Sequence, residues 1–129
     1  MKESRNPRDV HPPLAAYTHQ IEITGSVRWL VLAGQVGREV DGTVHEDPLE
    51  QLAVAMENVR RNLRAAGMVL EDVVKLTVYV VGDVDIGRFR ESMASLLEGH
   101  RPCMTLLYVA GLANPSFRFE LDALAATAD

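Results

Sequence analysis

Apolar and polar residues alternate with period two near the start of the chain, and this alternation predicts strands. The run "THQIEI" (18–23) predicts a first strand, and "VRWLVLAG" (27–34) predicts a second one. Only the turn "TGS" separates them, so we expect the two strands to pair as a hairpin. The dipeptide "DG" (41–42) predicts a further turn, with a short strand pair around "REV" and "TVH".

The spacing of apolar residues changes to a helical period after residue 46, and this predicts a first helix. Asp47 is a suitable N-cap, Pro48 fits the first helical position, and Glu50 would complete a capping box. Gly67 is expected to end this helix. The residues predicted to form its buried stripe are Leu52, Met56, Val59 and Leu63.

A second helix is predicted between a cap at Asp83 or Asp85 and a stop at Gly99. Its apolar stripe comprises Ile86, Phe89, Met93 and Leu97. Before it, "DVVKLTVYVV" (72–81) is β-branched and apolar, which is typical of a central strand buried on both faces.

Two further strands, 103–110 and 117–126, complete the order β-β-α-β-α-β-β, with hairpins expected at both ends. This order predicts an α+β fold in a single domain over residues 1–129, with a mixed sheet and both helices on one face. The helices then leave an apolar sheet face uncovered. We therefore expect this face to lie in a subunit interface.

Composition narrows the possible functions of a chain of 129 residues. The net charge of −5 argues against a nucleic-acid-binding surface, which needs a basic patch. Three arginines do cluster on the first helix, but acidic residues lie close by, and we interpret them as a solvated face. These arginines are Arg60, Arg61 and Arg64, with Glu50 and Glu57 near them.

Residues 1–13 are polar, contain prolines and predict a flexible or loosely docked arm without the apolar core of a signal peptide. Cys103 is the only cysteine, so no internal disulfide can form. The four histidines have no ligand-like spacing, so we predict no metal and no cofactor. No apolar run could span a bilayer. We expect a soluble cytoplasmic protein that binds neither membrane nor nucleic acid.

Candidate chemistry begins with the last strand, "FRFELDALA", which places Arg118, Glu120 and Asp122 on one face. Glu120 is either a general acid or base, or one member of an exposed charged face paired with Arg118. Tyr17 offers a hydroxyl to a ligand or simply packs. Gly34 and Gln35 in "AGQVG" (33–37) form either a close backbone approach to a ligand or a plain turn.

Three segments of the sequence resemble the Rid family, also known as the YjgF or endoribonuclease L-PSP family. They are "YTHQIEITGSVRWLVLAGQVG", "DGTVHEDPLEQLAVAMENVRRNLRAAGMVLEDVVKLTVYVVG" and "RPCMTLLYVAGLANPSFRFELDALA". They follow the family order and together cover about residues 14–127. The resemblance implies a chorismate-mutase-like fold and a homotrimer with small-molecule clefts between subunits. It also implies hydrolysis of 2-imino or enamino acids to 2-keto acids and ammonia.

Only some of the family's site residues have a matching residue in this sequence. Tyr17 matches the pocket tyrosine, and Glu120 matches the glutamate that positions water. Gly34 and Gln35 match the turn at the pocket floor, although Ala33 replaces the family's serine. Met104 stands where imine-hydrolysing relatives have the arginine that holds the substrate carboxylate. A thioether cannot form that bidentate pair.

Two nearby arginines are candidate replacements for the missing cation. Arg101 is either a ligand-binding residue or a solvated turn residue, and Arg90 is either a pocket residue or a helix-surface charge. Three functions follow: an altered Rid-type hydrolase, a genuine 2-imino acid deaminase, or a ligand-binding trimer without catalysis. Ribonuclease activity is the least favoured, because the chain is acidic and has no visible pair of catalytic histidines.

Overall fold

The computed structural model describes residues 1–128, which form one α+β domain with a mixed sheet and two helices, as predicted. The strands are β1 (Lys2–Arg5), β2 (Gln20–Ile23), β3 (Val27–Val31), β4 (Gln35–Val36), β5 (Val73–Val80), β6 (Cys103–Tyr108) and β7 (Phe119–Ala128). The helices are α1 (Pro48–Ala65) and α2 (Ile86–Leu97), and a short 3-10 helix (Leu70–Asp72) precedes β5.

The main sheet has the strand order β3-β7-β5-β6, and β4 also pairs with β7. β5 is a central strand, as predicted. It runs parallel to β6 and antiparallel to β7. Because parallel neighbours need a crossover, α2 connects β5 to β6 and packs on the sheet. The turn predicted at 41–42 carries a single bridge between Arg38 and Val44.

Both predicted hairpins are wrong. β2 pairs with β1 and not with β3, and β5 lies between β6 and β7. The reason lies in side-chain chemistry. The charged strand β1 pairs with β2, where Arg5 forms an ion pair with Glu22. The apolar strand β3 pairs with β7, and its Leu30 packs against the core.

The first five residues are therefore docked, within the segment 1–13 for which the sequence predicts a flexible or loosely docked arm. The N-terminal ammonium group of Met1 donates to the carbonyl of Thr24. The Nζ of Lys2 lies 2.8 Å from the carbonyl oxygen of Ala126 and 3.3 Å from Oδ1 of Asp72. Lysine is long enough to reach these acceptors from a strand that looks purely polar in sequence.

Helix α1 begins as its sequence predicts. The Asp47 carboxylate accepts a hydrogen bond from the Leu49 amide at 3.0 Å, and Gly67 follows the helix with φ of +70°. The capping box is absent, because Glu50 turns toward His45 instead, with 3.4 Å between Oε2 and Nδ1. All four residues of the predicted stripe are buried.

In α2, Asp85 is the cap and accepts a hydrogen bond from the Arg88 amide at 3.1 Å. The helix ends at Leu97, and Glu98 and Gly99 then adopt left-handed conformations. Three residues of the predicted stripe are buried, namely Phe89, Met93 and Leu97. Ile86 is 38% exposed, because it lies at the first turn of the helix, beyond the edge of the core.

The core lies between the helices and one face of the sheet, and alternate residues of β5 and β7 enter it. The other face of β5 is only half-buried, so the prediction that β5 is buried on both faces does not hold within one chain. Apolar side chains on this second face of the sheet are solvent-exposed: Trp29 by 53%, Val31 by 76% and Leu107 by 44%. This leaves an apolar face that the chain's own helices do not cover.

Candidate functional site

A surface cavity of about 530 Å³ lies between residues 14–17, helix α2 and strand β6. Nine of its twelve lining residues are apolar. These are Leu14, Ala15, Ala16, Phe89, Met93, Ala94, Leu97, Met104 and Leu106, and the other three are Tyr17, Arg90 and Glu91. The cavity thus brings together three of the residues selected from the sequence, Tyr17, Met104 and Arg90.

Backbone contacts hold Tyr17 at the wall of the cavity. The amide of Thr18, next in the chain, donates to the carbonyl of Pro102 at 3.2 Å, which ties the segment to the start of β6. The Tyr17 hydroxyl oxygen accepts a hydrogen bond from the Leu14 amide at 3.1 Å. Because that oxygen is used as an acceptor, the hydroxyl proton is free to be donated to a ligand.

Met104 lines the cavity from β6, and Arg90 lines it from α2. Met104 pairs in register with the buried Leu76 of β5, so its side chain points toward the helices and packs against the core. Arg90 is an exposed residue of α2, and among residues 1–128 it forms no ion pair. Its neighbour Glu91 also lines the cavity.

Glu120 lies on β7 and is in contact with the turn that precedes β4. A Cβ placed on Gly34 would lie 2.7 Å from Cδ of Glu120 and 3.0 Å from its Oε1, so glycine is needed for this approach. The turn is closed by the Gln35 side chain, which donates to the carbonyl of Ala33 at 3.0 Å. Ala33 and Gly34 are exposed, and Glu120 is half-buried.

Glu120 and Met104 lie on opposite faces of the same sheet. Met104 is in register with Leu76 of β5, whereas Glu120 is in register with Tyr79 of the same strand. Leu76 and Tyr79 are three positions apart, and successive side chains of a strand point to opposite faces. One chain therefore presents two separate clusters, the cavity on the helix face and the Glu120–Gly34 cluster on the second face.

The other charged candidates lie away from both clusters. Arg118 does not pair with Glu120. Its Nε donates to the carbonyl of Val81 at 2.7 Å, and its NH2 group donates to that of Asp83 at 3.0 Å. Arg101 is exposed in the turn before β6 and does not line the cavity. Burial raises the pKa of the half-buried Cys103 thiol, and Lys75 partly opposes this increase.

The arginine cluster of α1 forms ion pairs within the same helix, as its interpretation as a solvated face predicts. Arg60, Arg61 and Arg64 all lie within 4.0 Å of the Glu57 carboxylate. Hydrogen bonding from Arg64, followed by attraction to all three arginines, lowers the pKa of Glu57. The single Glu57 carboxylate offsets only part of the charge of the three guanidinium groups, and Arg60 also lies 3.7 Å from Oε1 of Glu98.

The sequence reasoning assigned Phe89, Met93 and Leu97 to the core alone and missed that they also line the cavity. The signal in the sequence was the strand–helix–strand order from 72–81 to 103–110. In such a unit the two strands are parallel, and α2 lies over β6. Among residues 1–128, no three His, Cys, Asp or Glu side chains are close enough to hold a metal ion. Within the same range, neither helix has the length and apolar character needed to span a membrane.

Comparison with known proteins gives consistent matches along nearly the whole chain. The family model for endoribonuclease L-PSP matches residues 9–127. A RutC family protein of Pyrococcus horikoshii is 28% identical over 127 residues, which cover 97% of this chain and 98% of that protein. A 2-iminobutanoate/2-iminopropanoate deaminase of Mus musculus is 28% identical over 114 residues, or 87% and 82% of the two chains.

Among solved structures, the protein YyfB of Yersinia pestis, a Rid family member of unknown function, superposes with a TM-score of 0.86. It is 28% identical, and the match covers 98% of each chain. The resemblance found in the sequence is thus confirmed by the family model, by relatives and by a structure. The chain belongs to the endoribonuclease L-PSP family, which is also called the Rid family.

Proposed function

We propose that this protein hydrolyses a carbon–nitrogen double bond in a small metabolite, at a site that two subunits complete together. The observation that carries the proposal is the placement of Glu120 and Met104 on opposite faces of one sheet. A single chain cannot bring Glu120 to a ligand in the cavity. A second copy, packed on the exposed apolar face around Trp29 and Val31, could bring its own cavity, with the ligand, to the Glu120–Gly34 cluster on that face.

In this site, Glu120 acts as the general base. Its carboxylate accepts a proton from water as the water oxygen attacks the carbon of the C=N bond. The resulting carbinolamine then eliminates ammonia, so that imine and water become ketone and ammonia. The Tyr17 hydroxyl donates a hydrogen bond to the bound molecule, and the backbone at Gly34 can approach it closely because no Cβ intervenes.

Relatives named 2-iminobutanoate/2-iminopropanoate deaminase support this reaction class, at about 28% identity. The apolar Met104 supports a ligand different from the small imino acids named for those relatives. Genuine 2-imino acid deamination remains the alternative, with a cation at a position other than 104 holding the carboxylate. A ligand-binding trimer without catalysis is the third candidate. Ribonuclease activity is disfavoured by the net charge of −5.

As part of this proposal, the protein is a cytoplasmic homotrimer that uses no cofactor or metal. The lone cysteine supports that compartment, because it cannot form an internal disulfide. The oligomer is supported by the exposed apolar residues of the second sheet face. Sedimentation analysis of the purified protein measures the oligomeric state directly.

The test is an imine-hydrolysis assay, in which an amino-acid oxidase generates 2-imino acids and semicarbazide traps those that remain. The wild-type protein should accelerate ammonia release, and Glu120→Gln should abolish the acceleration. If Glu120→Gln hydrolyses imines as fast as the wild type, the proposed mechanism is wrong. If the wild type is silent and Met104→Arg gains activity, the scaffold can do this chemistry but the natural ligand is not a free imino acid.

Subunit mixing tests whether two chains share the site. Glu120→Gln and Tyr17→Ala should each be inactive alone, because each damages a different cluster. When the two variants are unfolded together and refolded at equal amounts, roughly a quarter of the sites regain both intact clusters. Restored activity in the mixture supports a shared site. Activity that stays absent after verified mixed assembly contradicts it.

A further inference from the structure

Helix α1 holds the segment that contains β4 through the side chain of Asn58. Its Nδ2 group donates two hydrogen bonds, to the carbonyls of Val36 and Arg38, each at 3.0 Å. Its Oδ1 accepts a hydrogen bond from NH1 of Arg61 at 2.9 Å. Because carbonyls only accept and a guanidinium only donates, these partners fix the orientation of the amide group. The two donated bonds thus hold the chain against α1 on either side of Gly37.

Gly37 itself lies directly on the backbone of Gln51, a buried residue of the same helix. A Cβ at position 37 would lie 2.4 Å from the carbonyl oxygen of Gln51 and 2.6 Å from its Cα. Backbone atoms cannot move aside as a flexible side chain can, so this close approach needs glycine. Gln51 and Asn58 are seven positions apart, which places them on the same face of the helix. This face therefore holds the whole segment 36–38.

The same face of α1 also holds the start of β7. The side-chain oxygen of Gln51 accepts a hydrogen bond from the Arg118 amide at 2.8 Å. Arg118 lies two positions before Glu120. Val36 lies two positions after Gly34 and is in register with Glu120. Helix α1 thus holds both strands of the Glu120–Gly34 cluster close to the point where they meet.

This support reaches the cluster from the opposite side of the sheet. Helix α1 packs on the core face, whereas Glu120 lies on the second face. The cavity is lined by residues of 14–17, α2 and β6, and not by α1. Any effect of Asn58 on Glu120 must therefore pass through the backbone of β4 and β7. Such remote support matters, because a displacement of about 1 Å at a reacting group can cost about a hundredfold in rate.

We propose that Asn58 is a positioning residue for Glu120. Its two hydrogen bonds set where Gly34 lies against the carboxyl group and so orient the general base. This inference rests on the proposed function, in which Glu120 activates water. Gly34 is the residue that limits the carboxyl group, since a Cβ there would lie 3.0 Å from Oε1 of Glu120. Release of 36–38 from α1 lets Gly34 move, and the carboxyl group then takes several orientations in place of one.

Glycine NMR spectra test the positioning without turnover. With isotope labels on the nine glycines, the Gly34 amide is assigned by its absence in Gly34→Ala. Its chemical shift should respond to pH as Glu120 ionises, and Glu120→Gln should abolish that response. Asn58→Ala should reduce the response at least about twofold, because the effect of a charge falls with distance. An unchanged response in Asn58→Ala would overturn the proposal.

A matched control and an isosteric variant show what Asn58 contributes. Asn62 is an exposed residue of α1 whose side chain donates to the carbonyl of Asn58 within the helix, so Asn62→Ala should keep the full response. Asn58→Asp keeps the shape of the side chain but, when ionised, has no donor. At neutral pH it should move the Gly34 resonance away from the wild-type position, as Asn58→Ala does. A wild-type resonance in Asn58→Asp would mean that packing holds β4, which contradicts the role of the hydrogen bonds.

The imine assay connects the positioning with the reaction. Asn58→Ala should lower kcat at least about tenfold and leave KM within about twofold, because the cavity stays intact and only the general base is misplaced. Asn62→Ala should keep both values. If Asn58→Ala keeps the wild-type kcat while Glu120→Gln is inactive, this inference is wrong and the hydrolase proposal stands. If the wild type hydrolyses no imine, the hydrolase proposal fails, and a Gly34 response reduced in Asn58→Ala still supports the positioning of the carboxyl group.

Discussion

Gly34 and the Glu120 carboxyl group are in direct contact, with no room between them for even one methyl group. The contact joins the turn before β4 to the central part of the sheet. It also means that the orientation of Glu120 depends on a residue that carries no side chain. Substitution at position 34 should therefore affect Glu120 first and the fold second.

Gly34→Ala should abolish imine hydrolysis and change stability little. The atoms that the new methyl group would meet belong to the flexible end of Glu120, so that side chain can rotate away at a cost below about 1 kcal/mol. Thermal unfolding and ammonia release measure the two effects. Gly111→Ala is the matched control, because its Cβ would meet nothing within 4 Å. If Gly34→Ala keeps full activity, hydrolysis does not require the Glu120 orientation that Gly34 permits.

Gln51→Leu should destabilise the protein by about 2–4 kcal/mol, since it leaves three partly buried backbone groups without their partner. The Gln51 side chain, 1% exposed, donates to the carbonyls of His45 and Ser116 and accepts from the amide of Arg118. Urea unfolding gives the change in free energy. The exposed Gln20→Leu variant should change it by less than about 1 kcal/mol.

Cys103 should react slowly with iodoacetamide. Burial raises the pKa of its thiol, so the reactive thiolate is a smaller fraction at any given pH than in an unfolded chain. Alkylation at about pH 8, followed by mass spectrometry, should be slower in the native protein than in urea. Lys75→Met should slow it further, because attraction to Lys75 favours the thiolate. Faster labelling in Lys75→Met would contradict this account.

Glu57→Gln should lower stability at neutral pH and not in acid. The arginines of α1, with Arg64 first, lower the pKa of Glu57, so its contribution is present above the ordinary value of 4.5 and lost as the pH falls through the lowered value. The side chain is 38% exposed, so the contribution should stay below about 1 kcal/mol. Urea midpoints of both proteins at pH 7 and at about pH 3 should differ only at pH 7. A difference that persists in acid would exclude the ion pairs as its cause.

Local patterns predicted the elements of this fold well. The spacing of Leu52, Met56, Val59 and Leu63 predicted the buried side of α1, and Asp47 predicted where it starts. The alternation that placed Glu120 and Asp122 on one face of the last strand leaves Phe119, Leu121 and Ala123 on the other, and these three residues are buried. Such patterns follow from helix and strand periods, which depend only on neighbouring residues.

Strand partners and side-chain targets could not be predicted in the same way, because they depend on contacts distant in sequence. The register that pairs Met104 with Leu76, and thereby separates it from Glu120, is set by the parallel crossover through α2. One of the two interpretations of the last strand paired Arg118 with Glu120, yet Arg118 donates to the carbonyls of Val81 and Asp83 instead. Nothing in the sequence around Arg118 marks those acceptors.

The pairing of Arg5 with Gln20 closes residues 6–19 into a loop, which carries Tyr17 near its C-terminal end. Asn6 accepts a hydrogen bond from the His19 amide, so the base of the loop is fixed independently of what lies between. The entropy of closing a loop changes only slowly with its length, by about 0.6 kcal/mol for each doubling. Insertions or deletions in this loop would therefore reshape one wall of the cavity at little cost to folding. A change in loop length could thus alter the ligand that the cavity binds, as substitution of Met104 could.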